Sequence, residues 1–230
     1  MEQLCISSFL RCGHDFHLYT FGPVEGLPTG ASRRDASEIL PASSVFSYHS
    51  GFGKGSFSAF SNFFRYKLLL ERGGWWVDTD VVCLRPFDFS DESVLGTELL
   101  EPGSDRIVVS SSVLKQPAGS ELMRCAWDEC QRVSQEELLW GEVGPKLMHR
   151  LADQLGVKTR GPAVFSPIPH FEWRRFIDPY GLPVFGSETY AAHLFHQMWR
   201  HEGVDPNGHF SESCLYEQWR QSISAHLNSE

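Results

Sequence analysis

The 230-residue chain has no run of lysine and arginine and carries a net charge of -9, which argues against nucleic acid or an anionic membrane as its main partner. It has no apolar run long enough to span a bilayer, so no transmembrane segment is expected. The opening residues Met1-Glu2-Gln3-Leu4-Cys5 lack the basic and apolar parts of a signal peptide, and the expected location is the cytoplasm. Six cysteines, Cys5, Cys12, Cys83, Cys125, Cys130 and Cys214, show neither a Cys-x-x-Cys nor a zinc spacing. Reduced interior thiols are therefore expected. With no internal repeat, low-complexity tract or linker, a single domain over 1–230 is expected. Gly53-Lys54 is not a phosphate loop, because Gly55 stands where Ser or Thr is needed and Tyr48 where the first glycine belongs. The glycines at 51, 53 and 55 predict a mobile loop instead.

What is present is an ordinary globular composition, 41% hydrophobic and 21% charged. Periodicity and breakers predict a helix over 2–12, a strand ending at Thr20, a short turn or helix over 36–40, and strands at 93–99 and 106–114. Helices follow at 119–133 and at 144–155, where Gly156 ends the second. Val164 to Pro169 reads as a strand, Phe171 to Phe176 as a surface or acceptor-facing segment or a solvated helix, and 212–226 as a terminal helix. This is an α/β pattern with a mixed sheet flanked by helices.

The most informative stretch is 61–88, a helix, a double glycine and a strand that delivers two carboxylates. Leu68, Leu69 and Leu70 continue the apolar face of Phe60, Phe63 and Phe64, and Gly73 supplies the left-handed residue that ends the helix. Trp75, Trp76, Val77, Val81 and Val82 are strand formers around Asp78 and Asp80. A core strand tolerates two acids only if they face a cation or hydrogen-bond donors. Residues two apart share a face of an extended chain, so both acids are expected to look into one site. Such a pair suits a divalent cation that stabilises the diphosphate released when a sugar leaves a nucleotide. Oxygen ligation favours Mn²⁺ or Mg²⁺.

Several blocks in fixed order resemble the DXD sugar-binding glycosyltransferases of the retaining GT-A class, which include initiating mannosyltransferases, α-1,4-galactosyltransferases and, more distantly, clostridial glucosylating toxins. The blocks are Ser61-Asn62-Phe63-Phe64-Arg65 through Gly73-Gly74 to Asp78-Thr79-Asp80, then Gly144-Pro145-Lys146-Leu147, then Tyr190-Ala191-Ala192-His193 with Phe195 and Trp199. They cover roughly 60–200. The resemblance implies a GT-A-like, Rossmann-like fold and a metal-dependent retaining hexosyltransferase. It would move a sugar from a nucleotide-diphosphate donor, a UDP-sugar, to a glycan or glycoconjugate acceptor, as in polysaccharide biosynthesis.

Carried over by position, Asp80 would ligate the metal and Asp78 would bind donor hydroxyls and the metal shell, so that both count as catalytic. Arg65 would bind the donor sugar, and His193 would reach the metal or the diphosphate from the far side of the site as a neutral imidazole. His196 would touch the phosphates or lie on the surface, and Glu142 would face the acceptor or be a solvated loop acid. Trp75 and Trp76 read as core rather than as sugar platforms. Asn62 takes the place of an aspartate that holds donor-sugar hydroxyls, which points to a different sugar preference. A second departure is that the chain opens in a helix where GT-A proteins open in a strand, so a short upstream strand is expected to be missing. Two rivals stand beside this reading: a non-catalytic nucleotide-sugar binder of the same fold, and an aspartyl-phosphate phosphatase with Asp78 as nucleophile.

Overall fold

Helix α2 (Ser58–Arg72) organises the fold, because the computed structural model, which describes residues 1–227, buries nearly all of its circumference. Ala59, Phe63, Tyr66 and Leu69 enter one apolar cluster, and Phe60, Phe64 and Leu68 enter another. Asn62 and Arg65, three residues apart, share the remaining stripe and line a cavity. Gly73 stops the helix with φ of 65° and an amide bonded to the Leu69 carbonyl at 2.9 Å. Any side chain there would be strained and would crowd the Ala118 backbone nitrogen.

The mixed α/β class matches the sequence pattern, with the strands divided among three small sheets. Strand β1 (His17–Thr20) runs parallel to β2 (Ser32–Asp35). Strands β3 (Gly74–Val77) and β5 (Val94–Leu99) flank the central β6 (Ile107–Gln116), both antiparallel to it. Strand β4 (Val81–Cys83) pairs antiparallel with β7 (Ala191–His193). Helix α1 (Glu2–Arg11) packs on β4 and on α7 (Leu215–Leu227), while α3 (Glu121–Cys130) and α4 (Leu147–Gln154) pack with each other, α3 also against α2. Among the described residues, no helix is long and apolar enough to cross a membrane, and all six cysteines are unpaired thiols.

One irregularity in β6 shapes the site. Leu95 pairs with Leu114, yet Thr97 pairs with Val109, so β6 carries extra residues over Ser110–Val113 opposite Gly96. The bulge frees main-chain carbonyls that a regular ladder would consume. Ser112 gives its carbonyl to the Asp78 amide at 2.8 Å, and Ser111 gives its carbonyl to the Arg65 guanidinium.

Three expectations change. The strand expected to run through Trp75–Val82 breaks into β3 and β4, because its partner leaves the ladder at the bulge and the Val81 amide turns back to the Asp78 carbonyl at 3.1 Å. Val164–Pro169 is not a strand. Pro162 follows Gly161 with its φ already set for a first helical turn, and α5 (Pro162–Phe165) results. Phe171–Phe176 belongs to a 3₁₀ turn, His170–Phe176, that buries Trp173 and Phe176 and leaves Glu172, Arg174 and Arg175 outside, the arginines paired with Glu202 and Glu172. It is a surface segment in part, with its aromatic residues in the core, and not a wholly solvated helix. The glycine loop at 51–55 is packed at Phe52, whose ring meets Trp140 at 5.3 Å and whose carbonyl accepts from Gln197 Nε2 at 3.4 Å.

Candidate functional site

A cavity of about 1380 Å³ opens where α2, the β3–β4 turn and the segment after β7 meet. Asp78 and Asp80 both line it, presented by a tight turn instead of by alternate positions of a strand. Asp78 Oδ1 accepts from Arg65 Nη2 at 2.8 Å and from Trp76 Nε1 at 2.7 Å. The Arg65 guanidinium sits 4.9 Å over the Trp76 ring and also bonds Ser61 Oγ at 3.1 Å. Arg65 is buried and its groups are engaged by the protein itself. Burial, followed by the charge of Asp80, raises the Asp78 carboxyl above its ordinary range against the pull of Arg65.

Asp80 meets the late part of the chain. The pairing of Val81 with His193 brings the imidazole beside the turn, with Nε2 at 3.4 Å from Asp80 Oδ2. Leu194 donates its amide to the Asp80 carbonyl at 2.8 Å. Phe195 then adopts φ of 55° and ψ of 56°, the one positive φ outside glycine among the described residues. That reversal starts α6 (His196–His201) and turns the His196 amide onto Asp80 Oδ2 at 2.8 Å. A strained residue held at such a point marks a constraint imposed by its surroundings. Burial alone would raise Asp80, but the His193 charge, its hydrogen bond and the His196 amide bring the carboxyl down to about 2. Burial would lower His193, yet the Asp80 carboxylate beside the ring, and Glu98 after it, carry it up to about 10.

Asp78, Asp80 and His193 offer ligand atoms that all lie within 4.8 Å of one another. Neighbouring ligand atoms on a cation with bonds of 2.0–2.1 Å lie about 3 Å apart, so two carboxylates and an imidazole at this spacing fit a divalent cation with modest adjustment.

The other expected residues are placed as follows. The His196 ring lines the cavity, while its main chain is what touches Asp80. Asn62 is buried with its amide against Gly144, where even a methyl group would come within 3.0 Å of Nδ2, and its Oδ1 has no hydrogen-bond partner. Gly144 thus makes room for α2 in the Gly-Pro block. Glu142 is exposed and caps its own loop through the Leu139 amide at 2.9 Å, which is the solvated loop acid. Trp75 packs among Phe87, Phe89 and Phe165, whereas Trp76 is a hydrogen-bond donor to the site as well as core. Sequence reasoning missed Glu98 of β5, whose Oε2 lies 3.8 Å from His193 Nδ1. No motif surrounds Glu98.

A family model matches the segment that carries the two aspartates. Residues 31–99 match the family model described as glycosyltransferase sugar-binding region containing DXD motif. Over 150 residues, 58% of this chain, the sequence is 30% identical to lactosylceramide 4-alpha-galactosyltransferase from Gorilla gorilla gorilla, covering 43% of that protein, and equally identical to the Homo sapiens protein of that name, covering 40%. It is 25% identical over 149 residues to alpha-1,4-N-acetylglucosaminyltransferase from Homo sapiens, 58% of this chain and 41% of that one. The matched part therefore spans about two fifths of these relatives. Among solved structures, PaToxG Glycosyltransferase aligns over 98% of this chain and 80% of its own, with a TM-score of 0.48 and 12% identity.

Proposed function

We propose that this chain is a metal-dependent retaining glycosyltransferase that takes a hexose from a nucleotide-diphosphate sugar, a UDP-sugar, and passes it to a glycan or glycoconjugate. The observation that carries the reading is the meeting of Asp78, Asp80 and His193 in one large cavity, within a chain whose 31–99 segment matches a sugar-binding family. Mn²⁺ or Mg²⁺, held by Asp80, His193 and Asp78, would supply positive charge against the diphosphate as the sugar–phosphate bond breaks.

The protein's own groups do the rest by position. Arg65 and Trp76 fix one oxygen of Asp78 and leave the other for the cation shell or a donor hydroxyl. The His196 amide fixes Asp80 Oδ2, and the His196 ring lies where donor phosphates would pass. Arg65 contributes to donor binding through Asp78, and Asn62 through the shape of the wall it shares with Gly144. The cavity exceeds the usual 300–1,000 Å³ of a single small-ligand site, as a donor together with an acceptor end requires. The names of the matched relatives support a hexose donor and a glycan-bearing acceptor. Six unpaired thiols support a reducing, cytoplasmic setting.

The test is a panel of nucleotide sugars with Mn²⁺, read by thermal stabilisation and by donor hydrolysis, since a ligand that binds only the folded state raises the melting temperature. Stabilisation and turnover by one UDP-sugar are expected. Stabilisation without turnover on any acceptor would make the chain a nucleotide-sugar binder, and no response to any donor would refute the proposal.

A further inference from the structure

Among the buried polar atoms of this site without a hydrogen-bond partner, His193 Nδ1 and Glu98 Oε2 face each other at 3.8 Å. Both side chains are nearly enclosed, 13% and 14% exposed. Buried polar atoms are almost always satisfied, so two orphans in apposition mark an interaction that closes when the site is occupied. The His193 ring is otherwise confined, with Phe195 against it at 4.0 Å between centroids and Nε2 toward Asp80.

We propose that Glu98 is the positioning residue for His193: its carboxylate accepts the Nδ1 proton, fixes that tautomer, and so commits the Nε2 lone pair to the cation beside Asp80. This rests on the metal-site reading above. An imidazole that gives Nε2 to a cation must carry its remaining proton on Nδ1, and in a dry wall that proton needs an acceptor. Glu98 is aimed at it from β5, a strand of a different sheet from the β4–β7 pair.

The test uses the full chain with Mn²⁺ alone, titrated by calorimetry and by the loss of free-ion electron paramagnetic signal. Glu98→Ala is expected to weaken Mn²⁺ binding about 10–100-fold, the range for losing an outer-shell partner of a ligating histidine. Glu98→Gln, which keeps shape and an acceptor oxygen, is expected to recover part of that loss. In a His193→Ala background, Glu98→Ala is expected to change Mn²⁺ affinity little. A simple electrostatic or structural role would persist there, so an equal loss in both backgrounds overturns the assignment, as does wild-type affinity in Glu98→Ala. Nitrogen NMR of histidine in the protein loaded with diamagnetic Zn²⁺ or Mg²⁺ in place of paramagnetic Mn²⁺ is expected to find His193 protonated on Nδ1, and a proton on Nε2 overturns it. Failure of the wild-type chain to bind Mn²⁺ removes this proposal and the metal site together. Mn²⁺ binding without sugar transfer removes only the transferase reading.

Discussion

Replacing Arg65 by methionine isolates what holds the first aspartate. The guanidinium is buried, ion-paired to Asp78 at 2.8 Å, bonded to Ser61 Oγ and to the Ser111 carbonyl, and stacked over Trp76. Methionine fills much of the volume but leaves Asp78 charged in a wall that already disfavours its charge. Removing one partner of a buried pair costs about 3–5 kcal/mol, which for a chain of this length lowers the melting temperature by about 10 °C. The pair Arg65→Met with Asp78→Asn removes both charges, so its loss is expected to fall short of the sum of the two single losses by about 2 kcal/mol. The sign of the pH dependence follows. Without Arg65, the folded-state pKa of Asp78 lies further above its unfolded value of about 3.9, so the folded form holds its proton longer. The deficit of Arg65→Met relative to wild type is then largest at neutral pH and shrinks as pH falls toward the unfolded value. Urea unfolding of the four proteins at pH 7 and pH 5 measures all of this. Additive single losses, or a deficit that grows on acidification, would refute the account of Arg65 as the counter-charge of a buried acid.

Asp80→Ala is expected to lower Mn²⁺-dependent turnover of the UDP-sugar by at least about 100-fold, the scale of losing a preorganised transition-state charge partner. Its far-UV circular dichroism should remain that of the wild type, and full retention of turnover would remove Asp80 from the site. His193→Ala is expected to weaken Mn²⁺ binding more than His196→Ala, because the latter keeps the main-chain amide that holds Asp80; equal losses by calorimetry would contradict this. With His193 raised to about 10 in the free protein, a cation must displace a proton, so Mn²⁺ affinity should rise up to about tenfold per pH unit between 6 and 8. Calorimetry in two buffers of different ionisation enthalpy is expected to find about one proton released per ion at pH 7. In the absence of metal, the charged His193 stabilises the fold fully below its unfolded value of about 6.5, and that contribution is lost as pH rises through about 10. Asp80 contributes above its unfolded value of about 3.9, and the contribution is lost as pH falls through about 2.

The helix before the aspartates was legible because its apolar residues repeat with helical period and a double glycine punctuates its end, both local signals. The same local reasoning misjudged the aspartates' backbone. Val77-Asp78-Thr79-Asp80-Val81 has the composition of a strand, but whether a strand continues depends on its partner, and the β3–β6 pairing ends at Val77 and Val113, where β6 enters its bulge. At Pro162 a residue that can equally delimit a strand opens a helical turn, and the apolar stretch after it follows that turn. His193 was found through the block around it, whereas Glu98 acquires meaning only when β5 is laid across from β7, a long-range pairing that no residue near 98 announces. Trp76 was read as core, and its second use, an indole N–H on Asp78, follows from the turn after Val77.

The pairing of β4 with β7 fixes the order in which the site comes into being as the chain is made. Asp78 and Asp80 leave the ribosome early, together with Arg65 and Trp76, while His193 and the amide of His196 follow more than a hundred residues later. Until they arrive, β4 lacks its strand partner and Asp80 lacks the charge and the donor that hold its carboxyl down. A growing chain therefore displays two acids on an unfinished turn, able to attract a cation only loosely and without geometry. On the proposed metal site, capture with three ligands would belong to the completed fold, and an ion would serve less as a nucleus for assembly than as a reporter that assembly has reached β7.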